Sequence, residues 1–340
     1  MTREERLLAD LVGVPSPSGE EGAAAATLCD LLPRFGWEEA TVDEAGSVVA
    51  RRGSGGRELL LLGHLDTVPG GPEVRLEGEV LWGRGSVDAK GPLCALGVSG
   101  GRIPLPPGWR VTLVAASGEE ADSRGTRHRL PLHAPAACLV GEPTGADGVA
   151  LSYRGRVLLS LEGEDGGAHR SGDPGPLAAA VRAAAAILEE AEAREGHSGA
   201  VLGMEGHEAG RRTARVDLDL RLPLGASGAG CLEWAAEVAA RRGLTLRVRD
   251  AVEPHGVDRS DPAVQALRVA VRGEGMTPRL LAKQGTADFN LAAAWGCPLA
   301  VYGPGDSRMD HTSEERLDLG EYRRALGVLD RALPLLMDRA

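Results

Sequence analysis

The sequence is poor in lysine and in aromatic residues, and it has no long apolar run. Lys90 and Lys283 are its only lysines, so arginine carries almost all the positive charge, and aromatics make up 3% of the chain. With 48 glycines and abundant alanine, this is the bias of a G+C-rich genome. A heat-loving source is also compatible with it, although arginine-for-lysine exchange is not a dependable thermal marker. No stretch approaches the roughly 20 apolar residues of a helical membrane span. The opening residues, Met1 to Leu8, mix charge with leucine in a helical pattern and do not read as a signal peptide. The five cysteines (Cys29, Cys94, Cys138, Cys231, Cys297) show no CxxC spacing. That argues against a thiolate-bound metal or a disulfide framework and fits buried thiols in a reducing, cytoplasmic compartment. A GxSxG serine elbow is missing too. The glycine-rich stretch Gly83 to Pro92 lacks both GxxxxGK[ST] and GxGxxG, which excludes the usual nucleotide loops. A formal net charge of -11 argues against a nucleic-acid partner.

What is present fits a soluble two-domain protein: 340 residues, 43% hydrophobic and 26% charged. Thr2 with Glu5, and Ser18 with Glu21, fit the capping box that opens a helix. Four short apolar runs read as strands buried on both faces: Leu59 to Leu62, Val111 to Ala115, Cys138 to Val140 and Leu299 to Tyr302. Each leads at once into a glycine-containing turn with acid or histidine, namely Gly63-His64-Leu65-Asp66, Ser117-Gly118-Glu119-Glu120, Gly141-Glu142-Pro143 and Gly303 to His311. Open α/β sheets build their sites just beyond the carboxyl ends of strands. The middle of the chain has a different rhythm. Arg156 to Leu161 and Ala214 to Leu222 alternate as strands, with helices over Pro176 to Ala193 and Cys231 to Arg241 and a strand over Leu244 to Val248. With a further strand near Val201, this is an α+β insertion. The fold expected is therefore α/β, a mixed and mostly parallel sheet sandwiched by helices. The discontinuous main domain takes residues 1–152 and 253–340, and the insertion takes 153–252.

The polar groups delivered to the sheet edge are His64, Asp66, Asp88, Glu119, Glu120, Glu142 and His311. Carboxylates and imidazoles without thiolates suit zinc, cobalt or manganese. Residues i and i+2 of a strand point the same way, so Asp66 is placed to accept from the second nitrogen of His64. Adjacent Glu119 and Glu120 point to different sides, one free to bind metal and the other to move protons. Each residue alone is commonplace. Their joint placement after buried strands is what points to metal-assisted hydrolysis.

The run Gly63-His64-Leu65-Asp66-Thr67-Val68-Pro69 resembles the first signature of the M20 metallopeptidase and deacylase family, and Trp82 to Gly91 resembles its second. Gly118-Glu119-Glu120, Gly141-Glu142-Pro143-Thr144 and Asp310-His311-Thr312-Ser313-Glu314-Glu315 match the others, in the same order and over nearly the whole chain. The resemblance implies two zinc ions, for which cobalt can substitute, bridged by Asp88. His64 and Glu142 would complete one metal's ligands, and Glu120 and His311 the other's. Glu119 would be the general base and Asp66 would orient His64, with a cis peptide at Asp88-Ala89. The insertion resembles the family's ferredoxin-like lid and dimerisation domain, which implies a homodimer. Its His169 would reach a neighbouring subunit's site to stabilise the oxyanion, and Arg221 would clamp a substrate carboxylate. Gly285, Thr286, Gly303 and Gly305 would line the pocket.

Within the family, the short segment Gly70 to Leu81 and the run Val87 to Leu93 look most like the hydrolases of lysine and arginine biosynthesis. These release lysine, and often ornithine, from the C-terminal glutamate of a small acidic amino-group carrier protein. N-acetylornithine deacetylases, succinyl-diaminopimelate desuccinylases and carboxypeptidases are the alternatives inside the family. An inactive carrier-binding protein is the alternative outside enzymes, and the intact residue set argues against it. Two arginine clusters, Arg124, Arg127, Arg129 and Arg211, Arg212, Arg215, are candidates to receive an acidic carrier.

Overall fold

The structure is a computed structural model and describes residues 1–167, 173–207 and 210–340. It forms two compact units. The first takes Met1–Leu151, Val257–Ala282 and Ala287–Ala340, and the second Ser152–Gly256 with Lys283–Thr286.

In the first unit the four apolar runs become neighbouring strands. In sheet order they are Trp109–Ala116, Arg57–His64, Ala137–Gly141 and Leu299–Val301, all parallel, so their carboxyl ends share one edge. Leu59 to Leu62 are wholly buried, each worth about 1.5–3 kcal/mol of apolar transfer. Antiparallel strands flank this centre: Val48–Arg52 and Glu39–Val42 on one side, Gly148–Tyr153 on the other. The helices Lys90–Arg102 and Pro262–Gly273 pack on the sheet, and Leu319–Arg339 packs on both. This is the α/β architecture expected. A small antiparallel ribbon joins Val80–Trp82 to Arg75–Glu77 on one side and to Arg316–Asp318 on the other.

The helix Arg3–Val12 starts with the capping box of Thr2 and Glu5. The second expected box does not form. The helix Gly22–Leu31 begins after Glu21 with no side-chain cap, because the Ser18 hydroxyl donates instead to Asp66 Oδ2 at 2.6 Å.

The second unit runs strand, helix, strand, strand, helix, strand: Gly155–Asp165, Gly175–Ala193, Ser198–His207, Arg212–Leu222, Gly228–Ala240 and Thr245–Val252. Its antiparallel sheet places Gly155–Asp165 and Arg212–Leu222 at the centre, the ferredoxin-like order. Val157, Leu159, Leu161, Val216, Leu218 and Leu220 turn one face into its own core with Ala180, Ala184 and Ile187. No helix among the described residues is long and apolar enough to cross a membrane.

Candidate metal centre

His64 ends its strand almost fully buried, and its Nδ1 lies 2.9 Å from the main-chain carbonyl of Asp66. The Asp66 carboxylate is farther, at 3.6 Å. A carbonyl only accepts, so Nδ1 carries the proton and Nε2 turns its other side to Asp88 Oδ1 at 3.3 Å and Glu142 Oε1 at 3.9 Å. Glu142 follows directly on its strand. Asp88 follows the ribbon strand Val80–Trp82, and its peptide to Ala89 is cis. Its second oxygen, Oδ2, lies 3.0 Å from His311 Nε2, which is 2.9 Å from Glu120 Oε1. One carboxylate thus faces two histidines, one through each oxygen. Glu142 stands beside the first histidine and Glu120 beside the second.

Asp66 is wholly buried, and the larger part of its work lies elsewhere than on His64. Oδ1 accepts the Glu119 amide at 3.0 Å, and Oδ2 accepts the Glu120 amide at 3.1 Å as well as the Ser18 hydroxyl. The same turn is wound about Gly118, at φ 73°, whose carbonyl accepts the amides of Ala121, Asp122 and Ser123.

The charges are severe for so small a volume. Burial would lower the His64 basicity, but Asp66, Asp88, Glu119 and Glu142 outweigh it and raise it well above that of an ordinary histidine. His311, bonded to Asp88 and Glu120, is pushed up to about 10. Asp88 shows the converse: burial opposes its ionisation, yet the two histidines hold its carboxyl well below the usual range. Glu119 is driven well above its ordinary value by burial and by the carboxylates of Glu142, Asp288 and Glu120, with His64 pulling the other way. The cluster therefore demands positive charge, which protons supply where no metal does. His64, Asp88 and Glu120 can each offer one ligand atom, all within 4.8 Å of one another. Imidazole nitrogens and carboxylate oxygens at this spacing fit divalent cations.

Three further residues shape the site. Glu315 accepts the amides of Val87 and Asp88 at 3.0 and 3.1 Å, and Arg84 pairs with it. Asp288, buried beside Glu119, accepts from Thr126, and burial pushes its carboxyl up to about 6 despite Thr126, His64 and Ser123. Arg84 and Glu315 lie within the signature runs themselves, but nothing in a sequence tells a buried glutamate from a solvated one.

Among the expected pocket residues, Gly303 and Gly305 lie behind the ligands. Their amides donate to Thr144 Oγ1 and Glu321 Oε1, and a Cβ on either would meet Pro92 or Val87 at under 3 Å. In the second unit, Arg221 binds Asp219 Oδ2 at 2.8 Å and Thr286 Oγ1 at 3.2 Å, and the Gly285 carbonyl accepts the Arg154 amide. His169 lies outside the described residues. The arginines of both clusters are engaged by other groups of the chain. Arg124 pairs with Glu21, Arg129 with Asp43, and Arg127 donates to the Asp122 carbonyl. Arg211 pairs with Glu164, Arg212 with Asp165 and Asp173, and Arg215 with Asp217.

A profile of peptidase family M20/M25/M40 matches residues 60–334. The chain belongs to that family. As an M20 peptidase it is a hydrolase of amide bonds, and membership implies a divalent metal, which the donor set above fits. Among curated relatives, a LysW-lysine hydrolase of Deinococcus radiodurans is 40% identical over 97% of this chain and 96% of its own. A LysW-lysine/LysW-ornithine hydrolase of Saccharolobus islandicus is 27% identical over 94% and 92%. The M20 fold is equally plain in solved structures. An M20 metallo-carboxypeptidase of Sulfolobus solfataricus superposes with TM-score 0.81 over 99% of both chains, at 16% identity.

Proposed function

We propose that this M20 hydrolase releases lysine, and ornithine, from a small acidic amino-group carrier protein by cleaving the amide to the carrier's C-terminal glutamate. The observation that carries the hydrolytic part is the split carboxylate of Asp88, with a histidine and a glutamate on each side and Glu119 left over. The relatives named LysW-lysine and LysW-lysine/LysW-ornithine hydrolases, matched from end to end, support the substrate.

In this reading His64, Glu142 and Asp88 hold one zinc or cobalt ion, and Glu120, His311 and Asp88 a second. Bound there, such ions supply Lewis-acid stabilisation of developing negative charge and make water acidic enough to attack at neutral pH. Glu119 takes the proton of the attacking water on its carboxylate and returns it to the nitrogen of the leaving amino acid, so one residue serves as base and then as acid. Asp66 holds Glu119 at its post by gripping its amide. Arg221 binds the substrate carboxylate, and His169 of a partner subunit donates to the oxyanion, which makes the second unit the lid and dimerisation domain of a cytoplasmic homodimer.

Turnover of carrier-linked lysine and ornithine, compared with N-acetylornithine, succinyl-diaminopimelate and a dipeptide in the presence of zinc or cobalt, tests the proposal. Preference for a small acylated amino acid over the carrier-linked one would overturn the substrate while leaving the chemistry.

A further inference from the structure

We infer that Arg84 and Glu315 form a positioning clasp that sets the second metal position, the one between Asp88 Oδ2, Glu120 and His311. The inference rests on the binuclear reading above. The two loops that converge on this position leave the same antiparallel pair of strands. Val80–Trp82 runs into the loop that ends at Asp88, and Arg316–Asp318 begins where the loop bearing His311 ends. Their pairing closes at Trp82 opposite Arg316, and Gly83 and Glu315 are the first residues beyond it, still joined by a Gly83 amide to Glu315 carbonyl bond of 3.3 Å. From there the loops hold each other reciprocally. Arg84, on the Asp88 loop, donates to the Glu315 carboxylate and to the Thr312 carbonyl at 3.2 Å, next to His311. Glu315, on the His311 loop, accepts the amides of Val87 and Asp88.

The asymmetry of the two metal positions gives the clasp its specific role. His64 and Glu142 adjoin buried parallel strands, and His64 is further fixed by the Asp66 carbonyl. His311 has no such support. It sits in a loop at φ 62°, half-exposed, and among the described residues the ring's own bonds go to the other ligands. The conformation is one that a non-glycine residue adopts only when its surroundings enforce it. Glu315 is fully buried and the Arg84 side chain is 13% exposed, so the pair is a largely buried anchor.

Titration of the metal-free protein with cobalt, followed calorimetrically and by the cobalt visible spectrum, tests this in wild type, Arg84→Met and Glu315→Gln. The glutamine keeps an acceptor for the backbone amides while losing the charge, and thermal melting of the metal-free variants checks folding. Positioning contacts behind metal ligands are worth about 10- to 100-fold in affinity. Both variants are expected to weaken the second cobalt equivalent by that factor, with the first moved several-fold less and the spectrum altered at the second step alone. Wild type binding two equivalents, with both folded variants unchanged or weakened equally at both steps, overturns the clasp alone. Wild type taking up fewer than two equivalents overturns the binuclear reading, and the clasp with it.

Discussion

Replacing Asp66 by asparagine changes almost no volume and isolates what its carboxylate does. Both oxygens receive donors: the Glu119 amide on Oδ1, and the Glu120 amide with the Ser18 hydroxyl on Oδ2. Asparagine offers one acceptor oxygen, so in either orientation its NH2 faces a backbone N–H. The better orientation keeps Ser18 and Glu120 and abandons Glu119. A hydrogen bond to a charged group is worth about 1.5–3 kcal/mol, and a buried donor left unpaired costs about 1–3 kcal/mol. A loss of roughly 2–4 kcal/mol falls on the turn carrying Glu119 and Glu120, equivalent to about 30- to 1000-fold in rate at ~1.4 kcal/mol per decade. Expressed against carrier-linked lysine, Asp66→Asn should lower kcat by that factor with KM little changed. Ser18→Ala removes one donor from an oxygen that keeps another, and should cost about 1 kcal/mol, under about ten-fold. His64 should keep its tautomer in Asp66→Asn, since its Nδ1 bonds the main-chain carbonyl, so uptake of the first cobalt equivalent should survive. An asparagine variant within about three-fold of wild type, or a Ser18→Ala variant equally damaged, would refute the argument that the carboxylate works by gripping the turn.

If Glu119 moves protons and binds no ion, as proposed, Glu119→Gln should keep both metal equivalents yet lose about 10²–10⁴-fold in kcat, read by metal analysis beside steady-state kinetics. If His311 is a ligand as proposed, metal uptake at neutral pH should release its proton, because its neighbours push it up to about 10; calorimetry in buffers of different ionisation enthalpy measures it. Away from the site, Glu58 is buried among His133, Thr112 and Arg110, which outweigh burial and hold its carboxyl at about 2 against 4.5. Because the folded value is the lower one, its contribution is present above pH 4.5 and is lost as pH falls through 4.5 toward 2. A shift of this size corresponds to roughly 3 kcal/mol, so Glu58→Gln should be destabilised at neutral pH and show a flatter acid-unfolding curve by chemical denaturation.

The central strands were readable because burial on both faces writes itself as unbroken runs such as Leu59 to Leu62. The helix Lys90–Arg102 was not, although nearly all of it is buried. Pro92, Gly97, Gly100 and Gly101 argue against a helix by propensity. Packing selects them. A Cβ at Gly100 would stand 2.5 Å from Leu61 Cδ1, and one at Gly101 2.3 Å from the Phe35 carbonyl oxygen. The short strands Glu39–Val42 and Val48–Arg52 escaped notice because their pattern is partly polar and their pairing is supplied by Trp109–Ala116. At the site, the residues able to bind metal carried a signal in their spacing after strands. The groups that hold them did not. Ser18 matched a helix cap as well as it matches its bond to Asp66, and the partnership of Arg84 with Glu315 spans 231 positions that no local pattern connects. The ion pairs of the arginine clusters are only partly legible in the same way: Arg215 pairs with the nearby Asp217, but Arg124 pairs with Glu21 and Arg211 with Glu164, far along the chain.

The order of synthesis gives the split first unit a further meaning. His64, Asp88, Glu119, Glu120 and Glu142 all leave the ribosome before Ser152, whereas Leu299–Val301 and His311 follow the second unit. The second unit is nearly contiguous and can fold on emergence, while the parallel sheet waits for a strand made long after its neighbour Ala137–Gly141. A nascent chain therefore carries an incomplete set of donors throughout the making of the inserted unit. If the site works as proposed, hydrolysis must wait until His311 arrives to close the cluster.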